Sequence, residues 1–97
     1  MRRGWKTSTL RMVMRDAIIQ QGLEGGIREQ RIISDWESIV GPAIARQSIP
    51  QRLRNGVLWI AVRDAAWRQE LSLMRRELVA KINAAVAADV VKEIRLR

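Results

Sequence analysis

The sequence predicts a small α+β domain, in the order α-α-β-β-α-β, with a three-stranded sheet whose one face is covered by helices. Three observations predict it. Asn55-Gly56 separates two short runs of β-type residues, apolar residues recur at spacings of four and three from Trp67 to Val86, and a late alternating run closes the chain. At 97 residues the chain is long enough for one compact core, and a basic tail 1–7 followed by a single domain over 8–97 is expected.

From Ser8 onward, Leu10, Val13, Met14 and Ile18 fall at helical spacing, with Thr7, Ser8 or Thr9 as N-cap and Gly22 placed to end a first, basic helix. The stretch Gln21 to Gly26 holds three glycines and is expected to be a loop or hinge. A second helix is predicted from about Arg28 to Val40, its stripe Ile33, Trp36 and Val40 widened by Ile32 and Ile39. Gly41-Pro42 kinks or stops it, since proline lacks an N–H and disfavours helix at the preceding residue; Ala43, Ile44 and Ala45 extend the stripe by a turn.

Ile49 to Arg54 reads as a short strand, confined by Pro50 to a sheet edge or a strand start. Asn55-Gly56 is the preferred pair for a two-residue type I′ turn. In the return strand Val57 to Arg63, Leu58, Ile60 and Val62 make the better core face, while Val57, Trp59, Ala61 and Arg63 point the other way. Asp64 is a suitable N-cap for a third helix, whose Trp67, Leu71, Met74, Leu78, Ile82 and Val86 share one stripe. Val90 to Leu96 makes the third strand, with Ile94 and Leu96 inward and Arg95 and Arg97 outward. A helix between the second and third strands is long enough to set them parallel. The expected core is Trp36, Val40, Leu58, Ile60, Val62, Trp67, Leu71, Leu78, Ile82 and Ile94.

Composition narrows the chemistry. Eighteen Lys+Arg against ten Asp+Glu give a net charge of +8, which attracts polyanions, nucleic acid first among them. Only Lys6, Lys81 and Lys92 are lysines; the other basic residues are arginines, which fork onto phosphate and stack on bases. Histidine, cysteine and tyrosine are absent, which removes most of the usual general bases, nucleophiles and soft metal ligands. The serines at 8, 34, 38, 48 and 72 lie in or beside helices, and Asp35 and Glu37 diverge on one. No enzymatic activity, cofactor or metal is therefore expected. No apolar run approaches the roughly 18 residues of a membrane span, and the charged start holds no signal-peptide apolar region. A cytoplasmic protein, monomeric or weakly dimeric, is expected.

Two features bear on nucleic acid. Gly22-Leu-Glu-Gly25 has G-x-x-G spacing, but a carboxylate in the loop would repel phosphate, and it reads as a turn. Trp59, on the strand face opposite Leu58 and Ile60, is a candidate base-stacking platform beside Arg63 and Arg52 or Arg54. A first helix folded over that face, or a homodimer through it, would bury the indole instead. Arg46, Arg52, Arg54, Arg63, Arg68, Arg75 and Arg76 fall in the hairpin and on the outer face of the third helix, and are candidates for one phosphate-binding surface with Trp59.

From Ile27 to Leu96 the sequence resembles the bacterial DciA-like family, first catalogued as a domain of unknown function. The resemblance rests on Trp36 with Ile39-Val40-Gly41, on Ile49-Pro50, and on Leu53 with Asn55-Gly56 and Leu58. Ala66-Trp67, Glu70-Leu71, Leu78 with Ile82-Asn83, and Ile94-Arg-Leu96 complete it. It implies a KH-like fold without a working G-x-x-G clamp. It also implies an adaptor that binds the hexameric replicative helicase and single- or tailed-stranded DNA to assist helicase loading. Such loaders are not ATPases, and the sequence holds no G-x-x-x-x-G-K-[ST] phosphate loop. Many members carry a long basic or disordered extension; this sequence closes directly after its third strand. The reading that stands without the resemblance is a basic RNA- or DNA-binding module with no helicase partner. A small scaffold whose charge serves solubility is a third.

Overall fold

The computed structural model describes residues 25–97. The expected basic tail 1–7, the first helix from Ser8 and the start of the glycine link lie outside these residues. Residues 25–34 are helical (α1), so Gly25 and Gly26 belong to a helix and not to the expected loop. Then follow α2 (Trp36–Val40), α3 (Pro42–Gln47), β1 (Ser48–Arg54), β2 (Val57–Val62), α4 (Ala65–Leu73), α5 (Arg75–Val86) and β3 (Glu93–Leu96).

The break between α1 and α2 is shallow. Asp35 N–H donates to the Arg31 carbonyl at 2.9 Å and Ile39 N–H to that of Asp35 at 3.0 Å, so the helical ladder passes through it. The buried stripe is Ile32, Trp36 and Val40, with Ile33 and Ile39 as half-buried flanks; the expected lead residue Ile33 gives way to Ile32. At Gly41 the chain does turn. Its φ of 91° and ψ of 158° are open to glycine alone, and Pro42 then starts α3 where a missing N–H costs nothing. That turn lays Ser48 under Trp36. The buried Ser48 hydroxyl accepts from the Trp36 indole N–H at 3.1 Å and donates to the Ile44 carbonyl at 2.7 Å, leaving neither polar group orphaned.

The sheet has the order β1-β2-β3, with β1 antiparallel and β3 parallel to β2. Asn55 (φ 51°) and Gly56 (φ 80°) make the two-residue turn as expected. The Gly56 carbonyl accepts from the N–H groups of Lys92 and Glu93 at 2.7 and 3.0 Å, which starts β3 alongside β2. Leu58, Ile60, Val62 and Ile94 are buried on the helix-covered face. β1 is irregular: Pro50 pairs with Ile60 and Arg52 with Trp59, so Gln51 has no opposite number. This extra residue lets Pro50 and Leu53, three apart, both turn inward while Arg52 and Arg54 stay exposed.

The expected third helix is two. Asp64 caps α4, its carboxylate accepting from Trp67 N–H at 2.8 Å. The chain leaves helical geometry at Met74 (φ −104°, ψ 12°) and resumes as α5. Leu71, Leu78, Ile82 and Val86 are buried; Trp67 and Met74 only border the core, and Leu73, just before the break, is 75% exposed. The third strand is shorter than expected, because the segment before it is held by a side chain. Asn83 of α5 accepts from Val91 N–H at 2.8 Å and Val90 N–H at 3.2 Å, and donates to the Val91 carbonyl at 2.9 Å.

Candidate nucleic-acid interface

Register fixes what the sheet presents on the face turned away from the described helices. Trp59 on the central strand lies between Arg52 on β1 and Arg95 on β3, and the next row down carries Arg54, Val57 and Glu93. Beyond Trp59, Arg97 donates its backbone N–H to the Ile60 carbonyl and accepts from Val62 N–H, which places it beside Ala61. The three nearest guanidinium groups gather over the indole. Their carbons stand 5.9 Å (Arg52), 5.4 Å (Arg95) and 4.7 Å (Arg97) from the ring centroid. Each such contact contributes about 0.5–1 kcal/mol at an exposed site, little enough to exchange for a ligand. Trp59 is half-buried under them. The first helix, which in the alternative reading folds over this face, lies outside the described residues.

The bulge at Gln51 and one hydrogen bond hold Arg52 in place. Glu29 of α1 accepts from the backbone N–H of Leu53 at 2.8 Å, which anchors the outer edge of β1 next to the bulge. On the opposite edge, Arg95 is tied to Glu93 at 3.1 Å, both half-exposed. Among the described residues, Arg52, Arg54, Arg63, Arg75, Arg76 and Arg97 have no carboxylate partner.

The expected arginines do not converge on one surface. Arg52 and Arg54 share the Trp59 face. Arg46 and Arg63 line a recess at one end of the sheet with Ile49 and Ala61, and Arg63 is not among the cations over the indole. Arg68 donates to the Val62 carbonyl at 3.2 Å, a half-buried tie between α4 and β2. Arg75 and Arg76 begin α5 beside β3. Conversely, Arg95 and Arg97 join the site without having been among the candidates. Their outward alternation in a strand parallel to that of Trp59 was the signal that could have placed them there.

No group of three or more Asp or Glu among the described residues is arranged to hold a metal ion, and no helix there is long and apolar enough to cross a membrane.

A family model described as "Dna[CI] antecedent, DciA" matches residues 8–96. Similar curated proteins are UPF0232 proteins of mycobacteria. One from Mycobacterium leprae is 36% identical over 84 residues, which is 87% of this chain and 44% of that protein. One from Mycolicibacterium paratuberculosis is 34% identical over 82 residues, 84% of this chain and 45% of that protein. One from Mycobacterium tuberculosis is 33% identical over 82 residues, again 84% of this chain and 44% of that protein. The chain thus spans less than half the length of these relatives.

Proposed function

Because the chain belongs to the Dna[CI] antecedent, DciA, family, we propose that it is a non-enzymatic accessory protein of DNA replication. It binds the hexameric replicative helicase of its cell together with single- or tailed-stranded DNA, and assists delivery of the ring onto the strand in the cytoplasm. Family membership supports the helicase half of this reading.

The observation that carries the DNA half is the sheet face turned away from the described helices, where Trp59 lies under the guanidinium groups of Arg52, Arg95 and Arg97. An aromatic ring beneath exchangeable cations offers a base a stacking surface and its phosphates a charge-assisted partner. Arg54 extends that face. Arg75 and Arg76, Arg46 and Arg63, and Arg68 supply the flanking positive potential.

The test uses the purified chain as bait against the purified replicative helicase from the same cell, with and without nuclease. Retention of the helicase in both samples supports the adaptor reading. Retention only without nuclease means that DNA bridges the two, and refutes a direct partner. The second reading, a self-sufficient nucleic-acid-binding module, is favoured by the sheet face, whose stacking residue and cations all come from one chain. It predicts salt-sensitive DNA binding with no helicase retained after nuclease.

A further inference from the structure

β3 separates two basic surfaces. On the sheet face, Arg95 and Arg97 stand over Trp59. Around the edge, Arg75 of α5 lines a cleft of about 450 Å³ with Glu93, Ile94, Arg95 and Leu96. A second recess beside it brings Arg75, Arg76, Lys92 and Glu93 together over Val79 and Ile94. Arg95 belongs both to the cleft and to the cluster over the indole. Among the described residues, no strand pairs with the outer edge of β3.

Building on the nucleic-acid reading above, we propose that a single DNA strand crosses the edge of β3. One unpaired base stacks on Trp59 in place of a guanidinium, and the neighbouring phosphates engage Arg52 on one side and Arg95, Arg75 and Arg76 on the other. Neighbouring strands of a sheet are about 4.8 Å apart, so the indole and the cleft beyond β3 lie within reach of consecutive nucleotides. A duplex satisfies neither requirement. Its base faces are occupied by their neighbours, and with a persistence length of about 150 bp it does not fold around the edge of a strand. The path therefore selects single-stranded over double-stranded DNA without reading sequence, since every base has a face to stack.

Glu93 opposes this ligand. Its carboxylate is 3.1 Å from the Arg95 guanidinium and lies on the Trp59 side of the sheet, where it repels phosphate and occupies a cation the strand needs. Glu93→Gln removes both effects at an exposed position, and the substitution tightens binding.

The experiment measures anisotropy of a fluorescein-labelled oligothymidine and of a blunt duplex of the same length, at one fixed low salt concentration. Trp59→Leu is expected to weaken the oligothymidine roughly 5- to 150-fold, as loss of one stacked base does, and to leave the duplex unchanged. Glu93→Gln is expected to tighten the oligothymidine about two- to fivefold, the scale of an exposed charge contact. Because Trp59 is half-buried, thermal melting accompanies each variant. If Trp59→Leu does not fold, the Arg95→Gln/Arg97→Gln double variant, at two exposed positions, must weaken the single strand more than the duplex. Salt-sensitive binding that these substitutions leave unchanged, or lower equally for both DNAs, overturns the strand path while leaving the nucleic-acid reading in place. No binding of either DNA by the unmodified chain overturns both.

Discussion

Ala87 shows how a single backbone position shapes the core. It ends α5 in the left-handed region (φ 52°, ψ 38°), where its N–H reaches the Ala84 carbonyl at 3.2 Å and Ala88 N–H reaches that of Asn83 at 3.2 Å. This reversal closes the helix and sends the chain back so that Val91 is fully buried and Asn83 can clasp the segment ahead of β3. An L residue there crowds its Cβ against the following carbonyl, which glycine avoids. The conformation is required by the fold whatever the side chain, so Ala87→Gly relieves strain while making the unfolded chain more flexible. The two effects leave a net gain of about 0.5–1 kcal/mol. Urea unfolding should show a raised midpoint with an unchanged slope. A lowered midpoint would mean that the Ala87 methyl packs more productively than its exposed position indicates.

At the level of elements, β1 is the piece on which the site depends. Pro50 pairs with Ile60, Leu53 with Leu58, and the two residues between them stand against Trp59 alone. Deleting Gln51 restores a regular ladder with Pro50 and Leu53 still inward and Arg52 still opposite Trp59, so the variant is expected to fold, with a melting transition close to that of the parent. Deleting Ile49 instead pulls Ser48 out of its place beneath Trp36 and breaks the buried hydrogen bond between them; no cooperative transition is expected. Circular dichroism melts of the pair separate the two outcomes, and equal damage from both deletions would defeat the assignment of Gln51 as the extra residue. The same strand marks the limit of what the sequence reveals. The hairpin, the Asp64 cap and the inward set of β2 are local, written in a few adjacent residues, and were legible. The inward residues of β1, Ser48, Pro50 and Leu53, are spaced by two and then by three, so no single strand period runs through them. The break at Met74 leaves the four-and-three spacing of the apolar residues intact, so periodicity alone joined α4 to α5. Arg95 and Arg97 reach Trp59 only through the register of strands more than thirty residues apart in the chain.

At the scale of the whole molecule, the basic residues of the described part are divided by the fold into separate fields, and salt dependence measures which of them a ligand touches. Each phosphate neutralised on single-stranded DNA releases counterions and contributes about −0.7 to the slope of log affinity against log salt. A strand that engages Arg52, Arg75, Arg76 and Arg95 neutralises about four phosphates and gives a slope near −2.8. Substituting both Arg75 and Arg76 by glutamine should shift that slope by about 1.4 toward zero, while Trp59→Leu should lower affinity at every salt concentration without changing the slope. The two variants therefore fail in different ways: one loses counterion release, the other loses stacking. If Arg75→Gln/Arg76→Gln leaves the slope at its parental value, the start of α5 lies off the DNA path and the strand is confined to the sheet face. If Trp59→Leu flattens the slope as well, the indole acts by holding the surrounding arginines in place, and electrostatics alone accounts for the binding.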